Sequence, residues 1–172
     1  MIRRSVLAAG ALAVALTVSV TLSSCSTFTA NNDVASVGGR ELSQEDLQLM
    51  LDSGLGQELL ENAPVDGVID AGSARAIINA WIQLTAFTEA GIGTDVDTSE
   101  IEANMADSLD SWNEAPPVMR ELAVKTIAIR TLKEQGGLDD NQIRTVLLDA
   151  DIAVDSRYGR WDDSALSVVS FG

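Results

Sequence analysis

Apolar residues are distributed along this chain in three different ways. Ser5 to Val20 is a nearly unbroken apolar run behind Arg3 and Arg4. Beyond it the pattern becomes periodic. Val34-Ala35-Ser36-Val37 alternates as a short strand does, and Gly38-Gly39 supplies a turn. Leu47, Met50 and Leu51 then share one helical face, behind Ser43 as N-cap with Asp46 in the first turn. Gly54 and Gly56 break that helix, and Asn62 to Gly72 reads mostly as loop. The strongest helix is predicted from Ser73 to about Ala90. Its apolar set, Ile77, Ile78, Trp81, Ile82, Leu84 and Phe87, wraps widely around the axis, and Gly91 stands near the C′ position. A third helix is predicted from Asp97, paired with Glu100 at capping-box spacing, with Ile101, Met105, Leu109 and Trp112 as its face. Ala115-Pro116-Pro117 stops it. A fourth runs from Pro117 to Gln135, striped by Val118, Leu122, Ile129 and Leu132, and Gly136-Gly137 closes it. Asp139 and Gln142 open a short helix through Val146, Leu147 and Leu148. The period changes again at Ile152 and Val154, which alternate; Tyr158-Gly159 turns, and Leu166 to Val169 forms a last strand. The order is strand, four or five helices, strand, with no internal repeat: a mainly α fold.

The first run is shorter than the ~20 residues that cross a bilayer comfortably, and it ends in small residues, as a signal segment does. Leu22-Ser23-Ser24-Cys25 follows it and resembles the lipobox of bacterial lipoproteins. That resemblance implies cleavage between Ser24 and Cys25, diacylglyceryl attachment to Cys25, and a place on the extracytoplasmic face of the cell membrane. Cys25 is the sole cysteine, so it has no partner for an intramolecular disulfide, and lipidation accounts for it. The expected organisation is a signal peptide over 1–24, a lipid-anchored tether rich in Ser, Thr and Asn over 25–33, and a single domain over 34–172.

Charge narrows the partners. Every acidic residue lies after Cys25, so the exported part would carry 26 acidic and nine basic side chains, a formal charge of −17. Such a surface repels nucleic acid and anionic headgroups, leaving the acyl chain as the membrane contact. The chain has no His, which excludes Ser-His, Cys-His and His-ligated zinc chemistry. No catalytic constellation of carboxylates or Ser with Lys stands out, and no cofactor or metal is expected. Asp95, Asp97 and Ser99 alternate as calcium ligands do, but Glu100 stands where an EF-hand needs Gly and Ala106 where it needs Glu, so a helix cap is the better reading.

Two ends of the chain together resemble the SurA-type N-terminal domain of extracytoplasmic chaperones and foldases. At the start the match is Val34 to Gly39, then Leu42-Ser43 and Asp46-Leu47; next come the long helix Ala76 to Ala90 and the segment Gly91-Ile92 to Glu100. At the end it is Ile152 to Asp162. The resemblance implies a helical SurA-N-like body closed by a small β-sheet of the N- and C-terminal strands, with an apolar cradle for unfolded polypeptide. Relatives with a parvulin-type prolyl isomerase carry a whole extra module; here Gly136-Gly137 and one short helix fill that interval, so isomerase activity is not carried over.

Trp81, Phe87, Met105 and Trp112, with Met119, are the candidate lining of such a cradle, and Phe87 is the one expected to be most exposed. The same spacings describe a buried face equally well, and core is the default for each. Arg157, Tyr158 and Trp161 read first as a structural cluster and second as a recognition patch. The expected function is that of a non-enzymatic, membrane-anchored chaperone or peptide-binding module for unfolded or exported polypeptides. The alternatives are an envelope adaptor that binds one folded partner and, less favoured, a prolyl isomerase.

Overall fold

The computed structural model describes residues 32–56 and 71–171. The signal segment, Ser24, Cys25, most of the tether and most of the loop expected from Asn62 lie outside the described residues. Within them the fold is mainly α, with a small antiparallel sheet and a separate hairpin. The elements in chain order are β1 (Asp33–Val37), β2 (Arg40–Ser43), α1 (Gln44–Asp52), α2 (Ala71–Glu89), α3 (Ser99–Ser108), α4 (Pro117–Glu134), α5 (Asp140–Asp149), β3 (Ile152–Val154), β4 (Arg160–Asp162) and β5 (Ser167–Val169).

The β1–β2 hairpin turns on Gly38 and Gly39, at φ +55° and +91°. Two positive φ values in a two-residue loop match the twist of the flanking strands and suit glycine. Arg40 to Ser43, which alternation alone did not mark, is thereby drawn into the sheet. Ser43 then caps α1 as expected: its Oγ accepts from the Asp46 amide at 3.0 Å and donates to the Asp46 carboxylate at 2.8 Å. The expected reciprocal cap at α5 is also present. Asp139 Oδ1 accepts from the Gln142 amide at 2.8 Å, and the Asp139 amide donates to Gln142 Oε1 at 2.9 Å.

α2 occupies the centre. It packs against α1, α4, α5, β1 and β5 at once, which is why its apolar residues run round the axis rather than along one stripe. Ile77, Ile78 and Ile82 are fully buried there. Its end is a Schellman motif: Gly91, at φ +74°, donates to Thr88 O at 3.0 Å, and Ile92 donates to Phe87 O at 2.8 Å. α4 ends in the same way at Gly136-Gly137. At its start α2 already includes Ala71 and Gly72, earlier than the expected Ser73.

The two ends of the chain meet in the sheet. β1 lies between β2 and β3, and Ala35, Ser36 and Val37 pair antiparallel with Val154, Ala153 and Ile152. The last strand, β5, does not join that sheet. It pairs with β4, which lies in the tail Ile152 to Asp162 that resembles a closing strand, and the Val168 amide donates to Asn79 Oδ1 of α2 at 2.6 Å.

The third helix differs from expectation at both ends. Thr98 stands at its N-cap in helical geometry without a side-chain cap bond, while Asp97 Oδ1 accepts from the Ser99 amide at 3.0 Å, two residues on. Asp97 therefore forms an Asx turn with Ser99 rather than a capping box with Glu100. Those hydrogen bonds from Ser99 also lower the Asp97 carboxyl below its ordinary pKa. The helix stops at Ser108, since Leu109 is extended, and turns carry the chain on to Ala115. Ser108, Asp110 and Ser111 compete locally for backbone bonds and favour such a break. Leu109 and Trp112 are thus not on the α3 face, and Trp112 reaches the core from a turn.

Candidate functional site

α2 and α4 lie side by side, and along one flank they leave an open groove of about 460 Å³. Trp81, Leu84, Thr85 and Thr88 line it from α2, and Val118, Glu121, Leu122 and Lys125 from α4. Both sets have the spacing i, i+3, i+4, i+7, which places four side chains on one helical face. The two arcs face a common furrow. β2 and the first turn of α1 supply the third wall through Arg40, Glu41 and Asp46.

The floor is apolar and the rim is charged. Leu84 and Leu122 are buried, and Trp81 is half-buried with its body packed on the core. Thr88 Oγ1 donates to Leu84 O at 2.7 Å, so its hydroxyl is satisfied within the helix and its methyl is left for contact. On the rim Lys125 Nζ lies 2.6 Å from Glu121 Oε1, and Arg40 Nε lies 3.9 Å from Glu89 Oε1. The combination of an apolar floor and exposed charged side chains at the rim suits contact with an amphipathic chain.

Other depressions adjoin this groove along α4. One of about 400 Å³ brings Trp112 and Pro117 beside Glu121 and Lys125, and one of about 280 Å³ brings Ile92 and Val96 beside Lys125. A third, about 270 Å³ and mostly apolar, lies between Ala76, Ala80 and Met119 and meets the groove at Leu122. α4 therefore has concave surface on more than one side.

Of the residues expected to line a cradle, Trp81 alone reaches the main groove. Phe87 is the clear correction: it is 3 % exposed and belongs to the core. Lying off the Ile77-Trp81-Leu84 stripe does not expose it, because α2 is enclosed by other elements on nearly every side. Met105 and Trp112 are each 6 % exposed, and Met119 is buried as well. Trp112 shows an edge to the neighbouring depression, while Met105 packs inside. Arg157 follows the structural reading. Its Nη2 pairs with Asp155 Oδ2 at 3.0 Å, its Nη1 donates to Gln44 Oε1 at 3.2 Å, and its guanidinium stands 5.7 Å from the Tyr158 ring centre. The Arg157 hydrogen bond, set against partial burial, holds the Asp155 carboxyl below its ordinary pKa.

The sequence reading missed most of the rim. Thr85, Thr88, Glu121 and Lys125 were legible as polar positions flanking the apolar arcs of two helices, had those helices been known to be neighbours. Arg40 and Glu41 were not, since β2 itself was unmarked. Among the described residues no group of three or more acidic or thiol side chains is arranged to hold a metal ion. No described helix is long and apolar enough to cross a membrane. Comparison with protein-family models, with curated proteins and with solved structures finds no match for this chain.

Proposed function

We propose that this protein is a non-enzymatic polypeptide-binding module, held by lipidated Cys25 on the extracytoplasmic face of a membrane. It transiently holds unfolded or exported chains. The observation that carries the reading is the groove between α2 and α4, with Trp81, Leu84, Val118 and Leu122 as an apolar floor inside a charged rim. Client side chains bury apolar area on that floor, at about 25 cal/mol per Å² before the costs of ordering the chain. Transient rather than tight binding follows from that balance. The acidic remainder of the surface keeps the loaded complex soluble. The lipobox resemblance supports the anchor, and the resemblance of the chain's two ends to SurA-type domains supports the client class.

The test is suppression of aggregation of a chemically unfolded protein by the purified full chain in detergent. Suppression near stoichiometric ratios is expected; Val118→Gln, at a half-buried position on the groove face of α4, is expected to weaken it with the smaller change in thermal unfolding midpoint, and Trp81→Gln to weaken it with a larger one. No suppression at large excess would overturn the reading and favour an adaptor for one folded partner.

A further inference from the structure

The sheet runs β2–β1–β3, so β2 has a neighbour on one side only and its outer edge is open among the described residues. Val37 stands opposite Arg40 across the two-residue loop, and Ser36 stands opposite Glu41. In an antiparallel hairpin with a loop of this length, the pair flanking the turn exchanges ladder hydrogen bonds and the next pair does not. Glu41 therefore turns its backbone N–H and C=O away from β1, toward the open edge.

The groove runs along that edge. Consecutive side chains of a strand leave opposite faces of the sheet. Arg40 and Glu41 are consecutive, yet both line the groove. A groove touching both has to pass beside the strand rather than over one of its faces.

The charges there are unevenly matched. Lys125 pairs closely with Glu121 and Arg40 more loosely with Glu89, whereas Glu41 and Asp46 have no ion pair among the described residues. Charged residues on an open edge deter indiscriminate pairing with other strands. Negative ones outside any ion pair admit a strand of the opposite sign.

Resting on the polypeptide-binding reading above, the geometry points to strand addition as the mode of capture. An extended client segment joins the three-stranded sheet along β2, bonding its backbone to Glu41, and lays an apolar side chain on Trp81 and Leu84. Its Lys or Arg side chains lie beside Glu41 and Asp46. Backbone bonding accepts many sequences, and the charge restricts them to basic–apolar ones.

Short fluorescent peptides decide this with the full chain in detergent. One alternates Lys with Phe and Val; a second has Glu for Lys; two more are the basic peptide N-methylated on alternate amides, in either phase. The basic peptide is expected to bind about tenfold more tightly than the acidic one, with the gap closing as salt rises. Methylation in one phase is expected to weaken binding about tenfold and in the other phase to leave it unchanged. Glu41→Pro removes an amide hydrogen the β1–β2 ladder does not use and is expected to abolish binding. Glu41→Lys, which keeps the backbone, is expected to lose the preference for the basic peptide. Equal effects of the two methylation phases would overturn strand addition while leaving polypeptide binding intact. Equal binding of the acidic and basic peptides would overturn the charge selection. Failure of every peptide to bind would overturn both this inference and the function it rests on. Should Glu41→Pro fail to fold, the methylated peptides still decide.

Discussion

α2 and α4 present the same four-residue arc to the groove, yet they stand in the fold on different terms. α2 is enclosed by helices and strands on nearly all sides and has only Arg75 and Glu89 as charged residues. α4 packs on α1, α2 and α3 and carries Arg120, Glu121, Lys125, Arg130, Lys133 and Glu134 along the remainder. One helix is both scaffold and floor. The other is a floor whose outer half is free to change. Substitutions on α2 should therefore be felt first as lost stability, and substitutions on the groove face of α4 first as altered binding.

The largest expected effect is that of Phe87→Ala. It empties a nearly fully buried site in the middle of the structure, and such truncations cost about 3–5 kcal/mol, measurable by urea unfolding. A value within the noise would show that α2 is less enclosed than its packing implies. Val118→Ala, at a half-buried position on α4, should cost about 1 kcal/mol or less by the same measurement while weakening client binding more than its stability change explains. Lys125→Ala should be smallest. Lys125 and Glu121 form an i,i+4 pair with side chains 37 % and 63 % exposed, so about 0.3–0.5 kcal/mol is at stake. Its binding effect should have the opposite sign, since freeing Glu121 leaves one more unpaired negative charge for a basic client.

Acid offers a probe away from both helices. Asp155 is held below the ordinary carboxylate range in the folded chain by Arg157. The group thus adds stability above its unfolded pKa, and that increment is lost as pH falls through its lower folded value. Asp155→Asn should remove this part of the acid sensitivity, as followed by thermal unfolding across the acid range.

What the sequence disclosed divides along the same line. The helices α1, α2, α4 and α5 were legible where their ends are set by chemistry local to a few residues, whereas both ends of α3 were not. Ser43 with Asp46, Asp139 with Gln142, Pro117, Gly91 and Gly136 all act where they were read. Pairing of the first strand with the strand at Ile152 was anticipated by resemblance and is present. Position relative to neighbours was not legible. Phe87 looks off-stripe along its own helix, and its burial is decided by elements far away in sequence. Likewise Arg40 to Ser43 lacks alternation and Arg160 to Asp162 is too short for it to be diagnostic, and both become strands because their hairpin partners hold them in register. The groove inherited that blindness: its floor could be listed, but its third wall rests on a strand that only pairing creates.

The place of β1 in the sheet also has a temporal meaning. β1 and β2 are complete within a few residues of each other, but β3, which flanks β1 on its other side, comes from the far end of the described chain. Contacts between segments so distant close late, because the loop entropy has to be met before they give anything back. Until β3 arrives, the outer side of β1 is a second open edge of the sheet. Closure of the sheet thus depends on residues far along the chain from the hairpin it completes.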